Sequence, residues 1–274
     1  MKFSVLISVY KNDDPVFLGE ALKSISTSQT VKPAQIVIVL DGPVSEEAHK
    51  IINDFIKKES KIEFTVVPLE SNKGLAAALN VGIDYCKYEW IARMDSDDIS
   101  LPDRFMKQVE YIEQNPDIDI VGGTISEFQN KPGDIHSERH VGLSQQEIEK
   151  MAKSRTPMNH VSVMYKKQAV INAGKYSEDF GKLEDYKLWV DMIANGTRMR
   201  NIDDILVYVR TGNGFIARRS SKREITDWDM LQRYLLKGGI IDRYTALKNK
   251  LYIRCFIYMP GWMKETAYKT LLRQ

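Results

Sequence analysis

At 274 residues the chain is long enough to bury a sizeable core as one large domain, or as one domain with an appendage. Hydrophobic residues at 43% and charged residues at 28% exclude a mainly disordered chain, and a net charge of +2 excludes the broad basic field of a nucleic-acid binder. Two cysteines, Cys86 and Cys255, supply neither a disulfide framework nor a metal-ligand spacing, and they fit a reducing cytoplasm.

The chain opens on Phe3 to Val9, an apolar β-branched run broken by serines that meets Lys11-Asn12-Asp13-Asp14. It reads as a buried first strand, since a signal peptide would end at a small-residue cleavage site. Asp14-Pro15 has the form of an N-cap followed by proline in the first turn, with Leu18, Ala21, Leu22 and Ile25 at helical spacing. Ile36 to Leu40 is continuously apolar, as a strand covered on both faces must be. Ser45 opens a second helix through Ile51, Ile52, Phe55 and Ile56. Ile62 to Val67 gives a third strand, Ala76 to Ile83 a third helix, Trp90 to Met94 a fourth strand, and Pro102 starts a helix through Phe105, Val109 and Ile112. Ile118 to Val121 closes the series.

This alternation predicts an α/β fold: a doubly wound, mostly parallel sheet with helices on both faces. The second half is less regular. Ser144-Gln145-Gln146-Glu147 is a capping box, Val161 to Tyr165 a short strand, Leu183 to Ala194 a helix and Ile205 to Val209 another strand. From about Ser221 the pattern is helical, interrupted at Gly238-Gly239 and Pro260-Gly261. The expected division is a catalytic domain over 1–215, with halves 1–123 and 124–215, and a basic amphipathic extension over 216–274.

In a doubly wound sheet the ligand lies beyond the carboxyl ends of the strands. That rule points to Tyr10-Lys11, Asp41-Gly42 and Asp95 to Asp98. Asp95 and Asp97, two apart in extended backbone, can converge on one hard cation, for which oxygen ligands favour magnesium or manganese. The same residues also suit a solvated turn before a helix. Asp41 can accept a hydrogen bond from a nucleobase or ribose, or simply form an Asp-Gly-Pro turn. Glu184 and Asp185 stand at a helix start, where acids complement the helix dipole and where a general base would also be held rigidly over a cleft.

The runs Val5 to Tyr10, Val39 to Gly42, Asn72-Lys73-Gly74-Leu75, Arg93 to Asp98, Pro102-Asp103-Arg104 and Leu183 to Trp189, in this order, closely resemble the family 2 glycosyltransferases of the GT-A fold. More narrowly they resemble the bacterial members that build exopolysaccharide or O-antigen repeat units. The resemblance spans roughly residues 3 to 210. It implies that Asp41 contacts uracil or ribose, that Asp95 and Asp97 form the family's Asp-x-Asp motif on the ribose and the metal-bound diphosphate, and that Asp185 is the catalytic base. It further implies a UDP-sugar donor, Mn2+ or Mg2+, a lipid-linked or oligosaccharide acceptor and a single displacement with inversion. Lys73 and Arg93 can meet phosphate or ribose, or serve as a solvated lysine and a structural arginine. Arg210 resembles a basic residue that reaches the diphosphate. His160 falls near the acceptor loop of the family, or is a satisfied structural histidine, and Glu184 joins it on the acceptor side.

Gly212 to Ala217 formally fits a dinucleotide fingerprint but lacks its βαβ unit and runs into Arg218-Arg219, so it reads as a loop able to close over donor phosphates. His136 and His140 bracket Glu138 in the wrong order for a zinc protease, and the flanks Pro132-Gly133-Asp134 and Gly142 read as loop. From Lys237 onwards eight Lys or Arg face two acids, and Tyr244, Leu247, Leu251, Cys255 and Tyr258 recur at helical spacing, with Trp262 beyond. Such a helix can lie on the anionic inner face of a membrane, pack back on the catalytic domain or pair two copies. Two rivals remain: a sugar nucleotidyltransferase, which needs a glycine-rich basic loop where Tyr10 to Pro15 stands, and a non-catalytic sugar-binding protein on the same fold.

Overall fold

The structure is a computed structural model that describes residues 1–212, 222–260 and 263–264. Its centre is a nine-stranded sheet in the order β3 (Glu63–Pro68), β2 (Gln35–Asp41), β1 (Phe3–Tyr10), β4 (Trp90–Met94), β8 (Met164–Lys166), β6 (Ile120–Phe128), β9 (Met199–Arg210), β5 (Ile99–Ser100), with β7 (Glu138–Arg139) paired to β6. In the first half β1 (Phe3–Tyr10), β2 (Gln35–Asp41), β3 (Glu63–Pro68) and β4 (Trp90–Met94) pair in parallel, β1 lying between β2 and β4. The helices between them are α1 (Pro15–Ile25), α2 (Glu46–Lys58) and α3 (Leu75–Tyr85). The register sets Tyr10 opposite Asp41 and Ile7 opposite Met94, so the carboxyl ends of three strands share one edge.

The helix starts follow local chemistry. Asp14 accepts from the Val16 N–H at 2.8 Å with Pro15 in the first turn, and Ser45 accepts from the Ala48 N–H. Both satisfy a donor that the first turn leaves without a partner. The sheet is buried on both faces. Val5, Ile7 and Val9 pack with Leu18 and Leu22 of α1 and with Phe105 and Val109 of α4 (Arg104–Gln114). Leu6, Val37 and Val39 pack with Leu79 and Ile83 of α3 and with Leu188 and Trp189.

After β5 (Ile99–Ser100) and α4, strands of mixed direction complete the sheet. β6 (Ile120–Phe128) runs through residues 123 and 124 and carries the short β7 (Glu138–Arg139), which lies between the loop flanks Pro132-Gly133-Asp134 and Gly142. α5 (Gln145–Met151) has the expected capping box on Ser144 and Glu147. The strand expected over Val161 to Tyr165 is instead a single 3-10 turn, His160–Ser162, followed by β8 (Met164–Lys166). Side chains bend it: Asn159 and Ser162 both donate to the Gly123 carbonyl, and Ser162 also donates to the Asn159 carbonyl. Local bonds of this kind compete with a strand ladder.

α6 (Lys167–Asn172) and α7 (Glu184–Ala194) follow, and β9 (Met199–Arg210) pairs in parallel with β6 and antiparallel with β5. The C-terminal helices are α8 (Lys222–Lys237) and α9 (Arg243–Tyr258). They bury Leu231, Leu235, Ile241 and Ala246 against Phe180, Tyr186 and Val190, so this segment packs back on α7 and the turn before it through one face. The other face of α9 leaves Tyr244, Leu247, Leu251 and Tyr258 between 54% and 75% exposed. Arg218, Arg219, Trp262 and the loop from Asn213 to Ala217 lie outside the described residues.

Candidate active site

The end of β4 delivers Asp95, Ser96, Asp97 and Asp98 to the shared strand edge. Carboxylate oxygens of Asp95, Asp97 and Asp98 lie within 4.8 Å of one another. Burial, then the Asp95 charge, pushes the Asp97 carboxyl up to about 6. Asp98 is 2% exposed and is raised well above the ordinary range by burial and then by Asp97. Three acids therefore share a space too small to keep all of them ionised without a counter-charge. Their all-oxygen donor set fits a hard divalent cation such as Mg2+ or Mn2+.

Two arginines frame the cluster. Arg93, 2% exposed, is ion-paired with Asp95. Burial opposes its charge, and Asp95 outweighs that opposition and raises the guanidinium pKa. Arg210 donates its backbone N–H to Asp98 at 2.8 Å and its Nε–H to the Asp97 carbonyl at 3.1 Å. Its guanidinium lies 3.7 Å over Phe17 and reaches Glu20 at 2.6 Å. Arg210 thus braces the acidic loop from behind.

Asp41 lies two strands away and is 3% exposed. Its carboxylate accepts from the Lys73 N–H at 2.7 Å, the Gly74 N–H at 3.0 Å and the Asn72 side chain at 2.9 Å. Gly74 has no side chain with which to cap α3, so a carboxylate from β2 holds the helix start instead. Opposite this turn, Gly42 sits at φ +83°, and a Cβ there would come within 2.6 Å of the Asn72 nitrogen. Only glycine fits that approach. The Lys73 side chain points into solvent near the same strand end.

A cavity of about 470 Å3 opens beside the acidic loop. Arg93, Asp95, Asp98, His160, Glu184 and Asp185 line one part of it. Asp41, Lys73, Asp97 and Arg210 are not part of its wall. The first turn of α7 presents Glu184 and Asp185 to the cavity. Burial, then Asp185, pushes the Glu184 carboxyl up to about 7, and its Oε2 is buried without a hydrogen-bond partner among the described residues. An orphaned acceptor in a cavity wall is placed to meet a ligand hydroxyl. His160 is 2.8 Å from the Tyr176 hydroxyl through Nε2 and meets the Trp189 ring edge-on, and burial drives its pKa well below the usual range. It lines the cavity as a neutral, satisfied imidazole.

Three residues with no role assigned from sequence complete the site. Asp98 joins its two neighbours in the acidic cluster. Asp13 accepts from the Ser96 hydroxyl at 2.6 Å, and burial pushes its carboxyl up to about 6. Arg104, fully buried, donates to the Arg93 carbonyl at 2.8 Å, the Val163 carbonyl and Gln108, tying β4 to the turn before β8. Burial, then Arg93, pushes its pKa down to about 9. The run Pro102-Asp103-Arg104 marked this position in the sequence, and Asp13 had no signal beyond its place after β1.

The fold thus brings acids at the strand ends, a cavity beside them and carboxylates on a facing helix start into one place. The chain belongs to glycosyl transferase family 2, whose pattern matches residues 4–180. It is 47% identical to an uncharacterized glycosyltransferase of Haemophilus influenzae over the whole of both chains. It is 33% identical to the UDP-Gal:alpha-D-GlcNAc-diphosphoundecaprenol beta-1,3-galactosyltransferase of Escherichia coli, covering 100% of this chain and 97% of that one. Among solved structures, S. aureus TarS 1–349 with UDP-GlcNAc superposes with a TM-score of 0.68 over 99% of this chain and 77% of that one, at 16% identity. The mannosyltransferase PcManGT of Pyrobaculum calidifontis, with GDP-Man and Mn2+, gives 0.63 over 97% and 73%, at 17% identity. At these identities the two structures support the GT-A-type fold alone.

Proposed function

We propose that the protein moves a sugar from a UDP-sugar to a hydroxyl of a lipid-linked or oligosaccharide acceptor during cell-surface polysaccharide synthesis, by one displacement with inversion. The observation that carries this reading is that one cavity presents strand-end acids and the α7 carboxylates together. Asp95 and Asp97 would hold Mn2+ or Mg2+. When bound, that cation supplies Lewis-acid neutralisation of charge on the departing diphosphate.

The chain's own residues do the rest. Arg93 orients Asp95, and Arg210 and Asp98 fix the loop that carries Asp97. Asp41 holds the turn 72–74, and its remaining lone pair can receive a ribose hydroxyl or uracil N–H, with Lys73 beside it. Asp185 takes the proton from the attacking acceptor hydroxyl, the role of a rigidly held general base. Glu184 and His160 shape the acceptor side. One base without a separate nucleophile supports a single inverting step, by the logic of inverting glycosidases with the acceptor in place of water. The E. coli relative, named for a UDP-Gal donor and a diphosphoundecaprenol-linked acceptor, supports both partner classes.

No helix among the described residues is long and apolar enough to cross a membrane. We place the protein in the cytoplasm, with the exposed row Tyr244, Leu247, Leu251 and Tyr258 and the neighbouring Lys248 and Lys250 resting on the inner membrane face. Pairing of two copies through this row is the competing use, and sedimentation with and without anionic vesicles separates them. The donor site is tested by calorimetric titration of UDP and GDP, with and without Mn2+, on the wild type and Asp97→Asn. Mn2+-dependent UDP binding that the variant lacks is the expected result. Tight GDP binding would change the donor, and no metal-dependent binding to either nucleotide would refute the reading.

A further inference from the structure

The cavity extends past the catalytic residues. Beyond Asp185 its wall is built by the C-terminal helices, with Trp228 from α8 and Tyr252, Ile253 and Phe256 from α9. These helices are locked to the catalytic helix. Trp228 meets the Tyr186 ring edge-on at 5.9 Å, and Tyr186 donates its hydroxyl to the Ala152 carbonyl. Asn249 of α9 donates to the Lys153 carbonyl at 2.8 Å. The wall is therefore a fixed part of the site and sits against residues 152–155.

The cations on this wall differ in what they already hold. Arg139 donates to Asn159 and to the Thr156 carbonyl, and Lys182 pairs with Glu224 at 3.4 Å. Arg155 is half-buried in the same lining and makes no ion pair or side-chain hydrogen bond among the described residues. A guanidinium beside an aromatic, apolar wall is poised for an anion that brings apolar surface with it.

The wall also has an exit. Tyr252 is 49% exposed and adjoins Leu251, 54% exposed, in the apolar row along the outside of α9. Tyr252 thus belongs both to the cavity wall and to the exposed surface of the helix that carries the apolar row.

We propose that this arm seats the acceptor's lipid diphosphate, with Arg155 binding the diphosphate and Trp228, Tyr252 and Phe256 packing on the first isoprenoid units. The assignment rests on the reading of a lipid-linked acceptor and adds the surface that would select it. Arg155 is then a specificity-determining residue on the acceptor side, separate from the donor's diphosphate at Asp95 and Asp97.

The test is calorimetric titration of farnesyl diphosphate into the full chain under saturating UDP and Mn2+, which keeps the probe off the donor site. Inorganic diphosphate and farnesol are titrated alongside. Arg155→Glu is expected to weaken farnesyl diphosphate binding by about 10-fold or more, Arg155→Lys to restore most of it, and Tyr252→Ala to weaken it by about 3-fold. Either probe fragment alone should bind about 10-fold more weakly than the whole. Tyr252 and Arg155 are not core residues, so folding of these variants is checked by an unchanged thermal midpoint. Farnesyl diphosphate binding indifferent to Arg155, or lost when UDP is added, overturns the proposal while leaving the transferase intact. Failure of UDP to bind with Mn2+ refutes the transferase reading, and the Arg155 comparison is then read without nucleotide.

Discussion

Glu184→Gln should stabilise the metal-free protein at alkaline pH and leave it nearly unchanged in acid. Glu184 is 8% exposed, has an unpartnered Oε2 and is pushed from 4.5 up to about 7 by burial and by Asp185. Its folded pKa lies above the unfolded value. Between the two the native state keeps a proton that the unfolded chain has lost, so stability falls as pH rises through this window. Below about pH 4.5 both states are protonated and no penalty exists. Above about pH 7 the penalty is complete, of the order of 3 kcal/mol. Asp185 contributes part of that, so glutamine, which never ionises, should recover about 2 kcal/mol at pH 8. In a chain of this size that is a rise of about 4–8 °C in Tm. Thermal unfolding of wild type and variant at pH 4.5, 6 and 8, without metal or nucleotide, measures it. A variant that is equally displaced at all three pH values would refute the reasoning, because a packing effect has no such dependence.

Other expectations follow from the same contacts. Asp185→Asn should lower kcat by about 100-fold or more while UDP affinity stays within about 2-fold, and a matched loss of UDP binding would remove Asp185 from the base role. Gly42→Ala forces a Cβ against the Asn72 and Ser71 backbone at positive φ. It should cost about 2 kcal/mol or more in urea denaturation, and a cost under about 0.5 would show that the turn relaxes freely. Arg104→Met strips the Arg93 and Val163 carbonyls of a buried donor and should cost about 3 kcal/mol together with weaker UDP binding in Mn2+. Loss of stability with unchanged UDP affinity would confine Arg104 to the core. Cys86 is 2% exposed, with its thiol pushed up to about 12 by burial, whereas Cys255 is exposed. Alkylation of the native chain should therefore stop at Cys255, and modification of Cys86 before unfolding would contradict its burial.

The parallel half was legible because its signals are local. Continuous apolar runs such as Ile36 to Leu40 need cover on both faces, and Asp14-Pro15, Ser45 and Ser144 cap the helices that provide it. The strand-end rule then picked out the edge where Asp95 and Asp97 lie, and the helix start at Glu184 falls where the sequence set it. The turn at His160 to Ser162 escaped because its cause is the Gly123 carbonyl, far away in the chain.

What the sequence alone determined is which residues alternate, cap and terminate elements, since those depend on neighbours a few positions apart. Tertiary structure decided how the side chains are used. It set Asp41 on a turn 31 to 33 residues downstream, tied Arg210 to Asp98 across 112 residues, and brought α8 and α9 against α7. Such pairings depend on which buried polar groups find partners once the sheet closes, and no period in the sequence encodes the choice.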